Sequence, residues 1–208
     1  MPTKKQNSGA QRRTRANGDI SRQRILDAAT AVAAERGYDA TTISAVSELS
    51  GLPPTSIYWH FADKDDLIAA VIDRSFETWS QALRLPEHGT AGERAREIGA
   101  QVAAALQETP DFLRLGLKLA LDRRPVELQA KTRFLHSRNA AFDRFADAIR
   151  AVAPGLAADK VELLTTYLIA GADGLFIANE IDDNSERFVQ LFQLHARLVF
   201  EEAAAMER

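Results

Sequence analysis

Four histidines, His60, His88, His136 and His195, are the side chains best suited to metal binding or proton transfer, and they lie in four separate segments. None falls in HExxH or another metal-ligand spacing. The chain has no cysteine, which removes disulfides, thiolate metal sites and thiol nucleophiles together and fits a reducing cytoplasm. It also has no GxSxG, no P-loop, and no GxGxxG following a strand. The motifs therefore point away from an enzyme, and neither a cofactor nor a metal is expected. A Ser/His/Asp site assembled in space is the enzyme alternative, with no motif behind it.

The chemistry that stands out is charge. Residues 1–24 hold Lys4, Lys5, Arg12, Arg13, Arg15, Arg22 and Arg24 against one acid, Asp19. That segment is net +6, whereas the whole 208-residue chain is −3 and the remainder therefore −9. A basic arm on an acidic body suits a polyanion met only at the N-terminal end. The alternative reading is an inert, solubilising tail.

The elements that must position these groups are helices. Apolar residues recur at three- and four-residue spacing almost everywhere after residue 21, and no sustained period-2 alternation or hairpin signal occurs. The fold class is all-α. Residues 1–18 are polar and basic, and are expected to be a disordered arm. The first helix is expected from Ser21 to Gly37, carrying Ile25, Ala28, Ala29 and Val32. A second follows Thr41-Thr42, with Ile43 and Val46, before Gly51. A third follows Pro53-Pro54, and a fourth opens at Asp63, where Asp66 stands at capping-box spacing. Five further segments are expected at about 91–108, 111–122, 126–152, 159–182 and 185–205, separated by Pro110, Pro125, Pro154-Gly155 and a turn at Asp182–Ser185. No run approaches the roughly 18 consecutive apolar residues of a membrane span, and the basic N-terminus lacks the apolar stretch of a secretory signal. A cytoplasmic protein without membrane contact is expected.

The stretch from Thr41 to Phe61 reads as two short helices hinged at Gly51, which can take the positive φ that the turn requires. Ser47 is small where the two helices touch, and Val46, Leu52 and Ile57 are apolar where the unit must pack on the first helix. A helix-turn-helix lays its second helix in the major groove of DNA.

From Arg24 to Ile72 the sequence resembles the TetR family of bacterial transcriptional regulators. The resemblance rests on the Ile-Leu-x-Ala-Ala start, the Gly-Tyr-x-x-Thr-Thr entry to the second helix and the Ile-Tyr-Trp-His-Phe-x-x-Lys run. It implies an N-terminal three-helix bundle with a helix-turn-helix (19–65) and a C-terminal multi-helix ligand-binding and dimerisation domain (66–208). It also implies contacts to double-stranded operator DNA by Thr42, Thr55, Ser56, Tyr58, His60 and Lys64, with Trp59 as a further reader. Pro53 and Pro54 replace the Ser and basic residue common there, which removes a side-chain cap and a base-reading cation.

The resemblance further implies a homodimer joined by the last two helices, with Leu168, Gly171, Leu175, Phe188, Phe192 and Val199 at the interface. Gly171 and Gly174 in mid-helix suit a close helix–helix approach. A small-molecule effector is expected among the fourth to eighth helices, lined by Trp79, Phe112, Leu115, Phe134, Phe142 and Tyr167, with Asn139, Asp173, Arg133 and His136 as polar contacts. Such a lining suits a largely apolar molecule whose entry releases the operator. The alternative is a constitutive helix-turn-helix protein that takes no effector.

Overall fold

The structure is a computed structural model and describes residues 8–122, 128–182 and 187–207. The expected breaks at Pro125 and 183–185, and the first seven residues of the arm, lie outside those residues. Among the described residues there are nine helices and no strand. They are α1 (Ser8–Ala40), α2 (Ile43–Ser50), α3 (Pro54–His60), α4 (Lys64–Ala82), α5 (Ala91–Glu108), α6 (Asp111–Leu121), α7 (Gln129–Arg150), α8 (Ala158–Asp182) and α9 (Phe188–Met206).

The arm departs from expectation. Helix α1 begins at Ser8, thirteen residues before the expected N-cap Ser21, so 8–18 are helical. Periodicity missed this because polar, basic residues carry no apolar stripe, yet Ala, Arg and Gln are good helix formers. The helix breaks at Gly37, where φ is 74°, the terminus anticipated for that glycine.

Local chemistry sets the helix-turn-helix. The Thr42 hydroxyl accepts the Ala45 N–H at 3.1 Å and caps α2, while Gly51 takes the left-handed conformation at φ 66°. Ser47 donates its hydroxyl to the Leu52 carbonyl at 2.7 Å, tying the turn across its own base. Pro53 supplies the extended residue before α3, which has no side-chain cap. Asp63 caps α4 by accepting the Asp66 N–H at 2.9 Å, and Asp66 accepts the Ala62 N–H at 3.0 Å. Ile25, Leu26, Val32, Val46, Ile57 and Phe61 are buried where α1, α2 and α3 meet. Each such aliphatic side chain contributes roughly 1.5–3 kcal/mol on full burial.

The chain divides into two compact units, Met1–Asp73 with Leu115–Arg133, and Arg74–Arg114 with Phe134–Arg208. The sequence reading placed its domain boundary at 65/66. In the first unit, Asp65 of α4 accepts the Gln129 N–H, and Lys118 of α6 lies 3.5 Å from the Asp39 carboxylate. These pairings join residues more than sixty positions apart, which periodicity cannot register.

In the second unit α9 packs against α5 and α8. Gly99 allows a close backbone approach: a Cβ there would lie 2.6 Å from the Phe192 backbone oxygen. Helix α8 is long and apolar enough to cross a membrane by length and composition alone, with a mean hydropathy of 1.4 over its most apolar window. Its apolar residues form two stripes. One, with Val161, Leu164, Leu168 and Phe176, is buried within the protomer.

Candidate nucleic-acid interface and apolar cavity

Burying Ile57 and Phe61 fixes which side of α3 faces outward. Thr55, Tyr58 and Trp59 are exposed, Trp59 at 77%, while Ser56 and His60 are half-buried. An isolated exposed tryptophan is costly to leave in water, and this one stands edge-on to His60 at a centroid distance of 4.7 Å. Asn17, Gly18 and Ser21 of α1 line a shallow concavity with Thr55, Ser56, Trp59 and His60. Thr42 is also exposed, with its oxygen engaged as the α2 cap. All seven residues expected to contact DNA lie in the first unit.

The cations are more tightly held than the sequence suggested. The Lys64 ammonium donates to the Asp39 carbonyl at 2.9 Å and sits 4.3 Å from the centre of the Tyr38 ring. Arg24, counted in the basic arm, donates to the Ser50 carbonyl at 2.6 Å and so satisfies the C-terminal end of α2. Arg22 lies over the Phe61 ring at 5.3 Å. These two arginines brace the helix-turn-helix, a role no local motif signals. Burial holds His60 below the ordinary histidine range, Arg22 pushes the same way, and Asp19 partly opposes them.

The second unit contains a cavity of about 80 Å³. Trp79, Phe112, Phe134 and Phe145 form its aromatic wall, joined by Ile98, Val102, Leu106 and Leu113. Leu168, Ala172 and Asp173 of α8 and Phe192, His195 and Ala196 of α9 complete it. Four side chains on the wall carry polar groups, and three of them are hydrogen-bonded. Arg138 and Asp173 form a bidentate ion pair, and His195 Nε2 bonds the Leu168 carbonyl at 2.8 Å. The fourth, Trp79, is only 5% exposed, and its indole N–H has no hydrogen-bond partner among the described residues.

Of the residues expected in this pocket, Trp79, Phe112, Phe134 and Asp173 line it. Leu115 is buried but belongs to the first unit, Tyr167 is 62% exposed, Asn139 faces outward and Phe142 is half-buried off the wall. Arg133 pairs with Asp73 at 3.8 Å, and His136 is exposed. The wall takes Phe134, Arg138, Ala141 and Phe145 from α7, one stripe at i, i+4, i+7 and i+11. Choosing Asn139 and Phe142 missed that stripe by one register.

The residues expected at a dimer interface fall into two groups. Leu168, Phe188, Phe192 and Val199 are buried within one protomer, and Leu168 and Phe192 line the cavity. Gly171 makes room for the His195 ring, which a Cβ at that position would strike. Leu175 is half-buried. The other stripe is the outward one: Leu163, Tyr167, Ile177 and Ile181 on α8, and Leu191, Leu194 and Leu198 on α9. Gly174 lies among them, with nothing within 4 Å of its Cβ position. Each helix is apolar on two sides, and periodicity alone does not say which one turns inward.

An all-helical chain whose α2 and α3 meet at a left-handed glycine, with the second helix presenting its polar and aromatic face outward, is a helix-turn-helix protein. Residues 25–71 match the family model described as bacterial regulatory proteins, tetR family, and that segment is similar to it. A curated relative, the HTH-type transcriptional regulator TtgR of Pseudomonas putida, is 36% identical over 76 residues, which is 36% of each chain. The alignment thus spans about a third of that relative's length. The fold extends further. SCO4454, a TetR-family transcriptional regulator from Streptomyces coelicolor, superposes with a TM-score of 0.71 at 18% identity, covering 96% of this chain and 98% of its own. The fatty acid degradation regulator FadR from Bacillus halodurans gives 0.71 at 15% identity, covering 86% and 94%.

Proposed function

We propose that this protein is a dimeric transcriptional regulator, a repressor that grips operator DNA through α3 and releases it when a small, largely apolar molecule occupies the cavity. The observation that carries the reading is the outward face of α3, where Thr55, Tyr58 and Trp59 stand exposed over a buried Ile57. Hydroxyls there reach base edges or phosphates, and the Trp59 ring makes apolar contact in the groove. Lys64, Thr42 and His60 flank that face as phosphate contacts. The protein works where DNA is, in the cytoplasm.

Dimerisation runs through the exposed stripe of α8 and α9, since a contiguous apolar patch on a folded surface marks an interface. Gly174 lets two α8 helices approach closely. The cavity favours effector control over constitutive binding, because a void in a packed core forfeits dispersion contacts unless something fills it.

The reading is tested by selecting sites from a random duplex pool with the full chain and measuring binding by fluorescence anisotropy. Two symmetric half-sites, about 34–36 Å apart or somewhat more, should be enriched. Affinity should fall steeply with salt as phosphate contacts release counterions. A pool with no enriched sequence, or one without twofold symmetry, overturns it.

A further inference from the structure

We propose that His195 couples the cavity to the outward stripe of α8 and α9: a guest that fills the cavity drives the imidazole against Tyr167, and the face joining two copies weakens. This rests on the dimeric, effector-controlled reading above and names how one site regulates the other.

Position on the helix is the first support. On α9, His195 stands four residues after Leu191 and three before Leu198, both in the exposed stripe. It is also within one turn of Phe192 and Ala196 on the cavity wall, which it lines itself. His195 thus sits at the seam between the two faces. Its ring lies 5.7 Å from the ring of Tyr167, a residue of the stripe that is 62% exposed. The Leu168 carbonyl can only accept, so Nε2 carries a proton and donates to it at 2.8 Å. That bond ties the imidazole to the α8 backbone beside Tyr167, in the space left by the missing side chain of Gly171.

Room is the second. About 80 Å³ is close to half the roughly 150 Å³ that accepts a benzene ring in an apolar core, so a ring-sized guest must move part of the wall. Most of the wall resists. Helices α5 and α9 come together at Gly99, where a Cβ would meet the Phe192 backbone oxygen at 2.6 Å. Trp79, Phe112, Phe134 and Phe145 are braced on one another. Arg138 and Asp173 clasp α7 to α8 through two hydrogen bonds. His195 is held by one, and the ring beside it belongs to an exposed side chain rather than to packed core. A close-packed interior passes a displacement on to the part that can yield. Such coupling is reciprocal: the guest that loosens the dimer binds separated protomers more tightly than paired ones, by the same factor.

Benzene is the probe, its binding followed by saturation-transfer NMR, and the dimer constant of the full chain is measured by sedimentation equilibrium. Saturating benzene should weaken the wild-type dimer about ten-fold, within the usual range of coupling between sites. Ala141→Leu fills the cavity from α7 and should weaken the dimer likewise without benzene. Tyr167→Ala leaves the cavity wall intact, so it should still bind benzene but lose the response, alone and combined with Ala141→Leu. If Tyr167→Ala is itself monomeric, His195→Asn, whose amide can still donate to the Leu168 carbonyl, takes its place. Where benzene fails to bind, the Ala141→Leu comparison decides by the same measure. A dimer constant indifferent to every filling of the cavity, or a response undiminished in the variant, overturns the coupling and leaves the dimer and operator readings standing. A chain monomeric at every concentration overturns the dimer reading, and the coupling falls with it.

Discussion

The carboxylate of Asp65 accepts the backbone N–H of Gln129 at 2.6 Å and that of Ala130 at 3.2 Å, so a residue in the first turn of α4 caps the start of α7. Two of the orphan donors of α7 are thus satisfied from a helix 64 positions away. Asp65→Ala should destabilise the fold by about 0.5–2 kcal/mol, the range of a lost N-cap, with Asp65→Asn retaining part of it. Urea unfolding of the three proteins measures this. Equal midpoints would mean that solvent caps α7 as well as Asp65 does.

The face of α3 should read sequence through few side chains. Thr55→Ala and Ser56→Ala should each change the ranking of operator variants by roughly 1–3 kcal/mol where a base contact is lost. Competition anisotropy with single-base operator variants shows it. An unchanged ranking in both would leave Trp59 and DNA shape to carry the choice.

His60, as a proposed phosphate contact, is expected to make operator binding pH-dependent. In the free protein its lowered pKa favours the neutral ring, so free folded protein binds fewer protons than the unfolded chain just below about pH 6.5, and its stability falls as pH drops through that window. A phosphate beside the ring favours the cation, so DNA binding takes up a proton. Affinity should therefore rise as pH falls from about 7.5 towards 6, and His60→Gln should flatten that slope. A slope that persists in the variant would move the proton elsewhere.

The outward stripe of α8 and α9 is the face proposed to join two copies. Ile177→Arg and Leu194→Arg each place a charge on an apolar face without touching the cavity, since neither residue lines it. Both should yield monomers with unchanged helical circular dichroism and weak operator binding. Light scattering at micromolar concentration decides it, and a surviving dimer in both variants would place the interface on another face.

Gly99→Ala should be among the costliest single-methyl additions. Its Cβ would meet the Phe192 oxygen at 2.6 Å and the Gln193 Cα at 2.8 Å, both backbone-fixed, so α5 and α9 must part. Overpacking of this kind costs about 1–3 kcal/mol. Thermal unfolding that matches the wild type would show that the two helices slide freely.

What the residues revealed in advance was local. Gly51, Thr42, Pro53 and the Asp63/Asp66 pair act within four positions of themselves, so the hinge, the caps and the start of α3 were legible, as was α5 at 91–108. The residues that read poorly depend on partners far along the chain. Arg24 finds Ser50, Asp65 finds Gln129, and Trp79 finds Phe145; no spacing announces any of these. Leu168 and Leu163 are equally apolar, and only the seat of α9 on α8 decides that one is buried and the other exposed.

The self-neutralised wall of the cavity has a consequence for where a signal can originate. A molecule with no charge to strip of water crosses a lipid bilayer unaided, whereas ions of the same size stall at its hydrocarbon core. A mostly apolar wall whose Arg138 and Asp173 charges pair with each other suits uncharged compounds, which diffuse through membranes without a carrier. The internal concentration of such a compound follows the external one passively. A regulator built around this chamber would thus report on the surroundings of the cell with no transporter or surface receptor in between.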